Sequence, residues 1–274
     1  LTEDEQREFG RLWHAHEGPL ATFWASVRAS AKLGPARADA LQFTIAAACL
    51  VGHHVPTLAA LQAQRDGGEL ASARDLAGWD AARWESLLTD AAIDPPATIP
   101  DASDLAARRS HFARALVRAV EDAHPSAVIR MRLAADESAG SPPPHTSGVS
   151  DFLSDVPEFD LTTTPLARWL AENQNYAIGE TTRANVERVA RVLRVTPRLG
   201  RYATLKVLLE QGIGSAADIV AFTRDEFVRK LGGVLPADDH DPIALAGQIW
   251  SLASRMHATT LSLASSFVLA KAGG

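Results

Sequence analysis

Two segments of the chain repeat one pattern. The first runs Ser72-Ala73-Arg74-Asp75-Leu76-Ala77-Gly78-Trp79 and continues to Trp84, and the second runs Ser215-Ala216-Ala217-Asp218-Ile219-Val220-Ala221-Phe222 and continues to Phe227. In each, a Ser suits a helix N-cap and an Asp three residues later suits its reciprocal partner, a short-armed form of the capping box. A second capping residue, Asp80 or Thr223, then opens the next helix, and the pairs Trp79/Trp84 and Phe222/Phe227 supply apolar anchors for the bend. Upstream, Leu58 and Leu61 are expected to match Leu205 and Leu208, with extra residues around Gly67-Gly68 where the second copy has Gly212. A repeated unit built from caps and apolar anchors constrains the chain to a modular helical scaffold.

The rest of the sequence is punctuated for helices as well. Thr2 before Glu3, Asp4 and Glu5 marks one start, Gly18-Pro19 a second and Gly34-Pro35 a third. The third is apolar almost all round from Phe43 to Val51, which predicts a central, buried helix with Cys49 as a small core residue. Ser103 and Asp104 suit the cap of a helix from about 105 to 123. Later helices are expected near 149–154, 165–172 and 181–193, and a long one runs from about 242 to 270. No alternating apolar run is bounded by hairpin dipeptides. The expected fold is all-α, a multi-helix scaffold with two helix-hairpin-helix-like units. The stretch 136–148 has almost no apolar side chains and reads as a linker. It divides the chain into an N-terminal unit, 1–135, and a C-terminal unit, 149–274, each holding one copy.

Composition narrows the function classes. Of the 274 residues, 46% are apolar and 22% charged, as in ordinary globular proteins, and the net charge of -6 argues against general nucleic-acid binding. The single cysteine allows no internal disulfide. No apolar run approaches the roughly 18 residues that cross a bilayer, so membrane insertion by this chain is not expected. The sequence starts at Leu1 without a signal-peptide pattern and reads as a piece of a longer polypeptide, which leaves its localisation open.

Several phrases together resemble a known family. They are 152–161 with Pro157-Glu158-Phe159-Asp160-Leu161, 189–198 with Val195-Thr196-Pro197-Arg198, 208–216 with Gln211-Gly212-Ile213-Gly214, and Ile249-Trp250 with 257–261. Their order resembles the α-helical shell of the A component of bacterial toxin complexes, which is related to the plasmid-virulence protein A family and often labelled neuraminidase-like. Thr2-Glu3-Asp4-Glu5-Gln6, Phe23-Trp24 and Arg65-Asp66-Gly67 resemble the stretch before that region. The resemblance implies a non-enzymatic shell segment of an oligomeric virulence machine, whose partners are other segments or subunits of the assembly and whose parent is exported. An amphipathic channel segment and a β-rich receptor-binding insert are missing from this sequence. On the final helix, Trp250 and Phe267 are the expected interaction surface, because its apolar stripe is broader than one small unit covers.

Chemical motifs are sparse, and neither a cofactor nor a catalytic residue is expected. His14 and His16 leave a helix about 200° apart and cannot converge on one metal, and His53-His54 suits a helix C-terminus. Asp238, Asp239 and His240 before Pro242 suit either a cation or an N-cap. The segment 72–79 differs from a sialidase Asp-box in the spacing of its Asp, and no nucleophile elbow, phosphate loop or metalloprotease helix is present, which leaves a hydrolase as the weakest reading. The stronger rival is a helix-hairpin-helix nucleic-acid module at Leu208, Gly212, Ile213, Ser215, Ile219 and Phe227. That hairpin carries no Lys or Arg of its own, Glu210 and Asp218 flank it, and Asp66 and Glu69 stand in the first copy.

Overall fold

Capping residues and prolines start the helices of this chain in the computed structural model, which describes residues 1–99, 104–198, 200–236 and 241–272, the last six by backbone alone. Among the described residues all regular structure is helical, so the fold is all-α. Contacts divide it into two compact units, Leu1–Ala119 and Val120–Gly274.

The first unit begins with α1 (Glu3–His14), where Glu5 N–H donates to Thr2 Oγ1 and the Glu5 carboxylate accepts the Thr2 N–H at 2.6 Å. Its Phe9 and Leu12 pack on Phe23, Trp24 and Val27 of α2 (Leu20–Ala29). The helix α3 (Gly34–Leu50) buries Ala38, Phe43, Ala47 and Leu50, yet Ile45 is 45% exposed and Cys49 faces solvent. The expected central helix is therefore one-sided, and Cys49 is not a core residue. An all-apolar run fills three helix faces in sequence, but packing covers only one of them here. Next come α4 (Val55–Asp66), the 3-10 helix Ala73–Gly78, α5 (Ala81–Asp90) and α6 (Leu105–Ala123), the last four residues of which belong to the second unit. Asp104 caps α6 by accepting the Ala107 N–H at 2.8 Å, and Ser103 lies outside the described residues.

The second unit contains α7 (Pro125–Ser138), α8 (Val149–Asp155), α9 (Leu166–Glu172), α10 (Glu180–Val195), α11 (Arg201–Glu210), α12 (Ala216–Val220), α13 (Arg224–Leu231) and α14 (Pro242–Ala272). Its core joins Phe152, Phe159, Val186, Val189, Leu193, Leu205, Leu208 and Phe227 with the first half of α14. The phrase 152–161 forms an aromatic cluster, since Phe152 meets Phe159 edge-on at 5.1 Å and Trp169 at 5.9 Å.

The boundary expected at 136–148 lies inside this second unit. Polar anchors replace the missing apolar ones. Asp136, in the last turn of α7, accepts from Tyr202 Oη and Lys206 Nζ, both at 2.7 Å. Thr146 is 1% exposed and donates to the Pro143 carbonyl at 2.7 Å, while Asn185 Nδ2 donates to the Ser147 carbonyl at 3.0 Å.

Candidate interaction surfaces

Each of the two similar segments starts where a helix stops at a left-handed glycine. After α4, Gly68 (φ +82°) lets the Glu69 N–H reach the Gln64 carbonyl at 3.0 Å; after α11, Gly212 (φ +76°) lets the Ile213 N–H reach the Leu208 carbonyl at 2.9 Å. This registers Leu61 with Leu205 and Gln64 with Leu208, rather than Leu58 and Leu61 with Leu205 and Leu208. The carboxylate of Asp75 accepts the N–H groups of Ala71 and Ser72 at 2.8 and 2.7 Å. That of Asp218 accepts the Gly214 N–H at 2.9 Å and the Ser215 hydroxyl at 3.1 Å. Asp80 then caps α5 and Thr223 caps α13, the latter with Glu226 as its reciprocal partner.

The aromatic anchors are alike in place and unequal in closeness. Trp79 and Trp84 have ring centroids 4.9 Å apart, against 6.5 Å for Phe222 and Phe227. Trp84 and Phe227 are fully buried, Trp79 is 7% exposed and Phe222 is half-buried. A cation covers the outer ring each time, Arg83 over Trp79 at 4.8 Å and Lys230 over Phe222 at 4.9 Å.

A phosphate-binding hairpin needs free backbone N–H groups. Those of Gly212, Ile213 and Gly214 already donate to Leu209, Leu208 and Asp218. The cations absent from the hairpin sequence are nonetheless supplied by α10. Arg191 Nε donates to the Gly214 carbonyl at 3.4 Å, and a Cβ on Gly214 would stand 3.0 Å from Arg188 Nη1.

The helix α14 changes character along its length. Leu245, Ala246, Ile249 and Ala253 are buried against the second unit. Trp250, expected on the outer surface, is half-buried and donates its Nε1–H to the Phe222 carbonyl at 3.0 Å, which ties the helix to the α12–α13 turn. An indole on an apolar stripe is ambiguous in sequence, because its N–H serves an internal acceptor as readily as a partner. From 258 to 266 every residue is exposed, with Leu261 at 54% and Leu263 at 68%. No charged residue stands between Arg255 and Lys271. The side chain of Phe267, and Asp238, Asp239 and His240, lie outside the described residues.

Sequence reasoning missed one polar cluster. Glu121, 8% exposed on α6, accepts the Tyr202 N–H at 3.1 Å and so caps α11, whose own N-cap is Gly200. Burial raises its pKa against the opposing pull of the Tyr202 and Arg201 N–H groups and of the Arg132 and Arg201 charges. Burial also acts on Asp136, but hydrogen bonds from Lys206 and Tyr202 outweigh it and lower that pKa. Burial and the Asp136 carboxylate together raise the Tyr202 phenol. The partners are separated by 66 to 81 residues in the chain, so no local motif marks them. Among the described residues, no three His, Cys, Asp or Glu side chains gather as metal ligands, and no helix is long and apolar enough to cross a membrane. Comparison with family models, curated proteins and solved structures gives no match to this chain.

Proposed function

We propose that this chain is a non-enzymatic helical scaffold segment that acts through protein–protein contacts, as the resemblance to a toxin-complex A shell implies. The observation that carries the reading is the second half of α14. Leu261 and Leu263 leave the helix about 200° apart, so apolar surface faces solvent on two sides of the helix, in the stretch between Arg255 and Lys271 that carries no charged residue. A helix with apolar residues on several faces is stable in water when other elements enclose it. The paired caps and aromatic bends fit the same reading, as two copies of one helical unit.

Nucleic-acid binding remains the second reading, because Arg188 and Arg191 stand at the Gly214 turn. The carboxylates of Asp218 and Glu210 beside that turn oppose it, as does the prior use of its N–H groups.

Co-expression tests the scaffold reading. The chain is co-expressed with the products of the genes adjoining its own, and the purified chain is assayed for duplex binding and sialoside turnover. Co-purification that survives high salt, without duplex binding or turnover, is the expected result. Turnover abolished by one Ser, Asp or His substitution, or salt-sensitive duplex binding lost on changing Gly212, contradicts it.

A further inference from the structure

One face of α10 carries a patterned row of charge. Glu180, Arg183, Glu187, Arg191 and Arg194 fall within an arc of roughly 80° at 100° per residue, and Arg198 follows just beyond the helix end. Arg183 is 51% exposed, Arg191 48% and Glu187 36%, and Glu187 is shared between the two arginines at 3.3 and 3.9 Å. Arg194 and Arg198 are exposed and have no acidic partner among the described residues. The opposite side of the helix is spent on the core through Val186, Val189, Val192 and Leu193.

We infer that this row is a docking surface for an acidic α-helix of a partner protein, laid antiparallel along α10. The inference rests on the scaffold reading and names the chemistry of one of its contacts. Guanidinium groups spaced by three or four residues match carboxylates spaced likewise on a second helix, each pair close enough for forked hydrogen bonds. The pattern also sets the order of charges. Opposite Arg194, Arg191, Glu187, Arg183 and Glu180, a complementary antiparallel row places Glu, Glu, Lys, Glu and Lys at positions j, j+3, j+7, j+11 and j+14.

Glu187 argues for this occupant over a nucleic-acid backbone. A continuous chain of phosphates along the row would meet that carboxylate and, at the adjoining turn, the carboxylate of Asp218, whereas a helix can set a lysine opposite Glu187. Exposed ion pairs contribute little individually, so the contact is weak and salt-dependent and its selectivity comes from pattern.

The test titrates the whole chain with three probes at low and physiological salt: a helical peptide bearing that Glu-Glu-Lys-Glu-Lys row, a peptide of identical composition with its charges scattered round the helix, and a 20-base-pair DNA duplex. The patterned peptide is expected to bind most tightly, to weaken as salt rises, and to lose about tenfold or more in affinity with Arg194→Glu/Arg198→Glu, a change of the size expected from reversing the Arg194 ion pair and the Arg198 charge beside it. Circular dichroism verifies that the variant is folded. An unfolded variant is replaced by Arg194→Gln/Arg198→Gln, with loss of peptide binding again expected. The proposal is overturned if the patterned peptide does not bind, if the scattered peptide or the duplex binds as well, or if the folded variant binds unchanged. Duplex preference would also count against the scaffold reading, whereas failure of the peptides alone leaves the α14 contacts standing.

Discussion

Trp84 and Phe227 each stand four residues after a capping side chain and are each fully buried, but only Trp84 brings a polar atom, its indole Nε1, that finds no acceptor among the described residues. A buried donor left unpaired costs about 1–3 kcal/mol. Phe227 is buried without that cost. Trp84→Phe is therefore expected to change stability by less than about 1.5 kcal/mol, the lost volume offset by the lost orphan donor. Trp84→Ala and Phe227→Ala should each cost about 3–5 kcal/mol. Chemical denaturation decides it, and Trp84→Phe as damaging as Trp84→Ala would show that the two places are not alike.

The caps give a graded series. Asp75 accepts two N–H groups at good distance, whereas Ser215 Oγ accepts the Asp218 N–H at a long 3.4 Å. Asp75→Ala, which leaves two N–H groups without their acceptor, should cost about 1–2 kcal/mol, and Ser215→Ala about 0.5 kcal/mol, the low end of the N-cap range. Melting curves in which Ser215→Ala is the more harmful would contradict the bonding described.

Glu121 makes stability depend on pH in an unusual direction for a carboxylate. Its pKa in the fold is raised above 4.5, so its contribution is complete below about pH 4.5 and is lost as the pH climbs through the folded value. Asp136, with a lowered pKa, acts oppositely and loses its contribution as the pH falls. Glu121→Gln keeps the acceptor for the Tyr202 N–H and removes the ionisation. Its stability relative to the unsubstituted chain should rise between pH 4 and pH 7, measured by urea denaturation. A constant difference across that range would mean that burial does not govern Glu121.

Fold class was legible because helix caps are local. Thr2, Asp80, Ser215 and Thr223 mark their helices in sequence and cap them in the structure. Burial was less legible. Ile45 and Cys49 sit in an apolar run whose covered face depends on which helices pack there, and Trp250 is satisfied internally by a carbonyl 28 residues away. The segment 136–148 misled for a related reason, since its anchors are Asp136 and Thr146 rather than apolar side chains. Composition counts the latter and overlooks the former.

That segment carries its own test. Residues 139–142 are exposed, while Pro143 and Thr146 on one side and Leu133 on the other are buried. Limited proteolysis is expected to nick 139–142 and to leave both products associated in gel filtration, because the cut falls inside the second unit. Separation of the products without denaturant would restore a domain boundary there.

Sedimentation velocity of the whole chain against Leu261→Glu/Leu263→Glu tests the scaffold reading most directly. An uncovered apolar helix finds a substitute partner when its own is absent, so the unsubstituted chain should associate as its concentration rises. Because apolar contacts are not screened, that association should persist at 0.5 M salt, roughly five times the concentration at which the Debye length is about 10 Å. The doubly substituted chain should remain a monomer throughout. A monomeric unsubstituted chain, or association that survives both glutamates, would contradict the account.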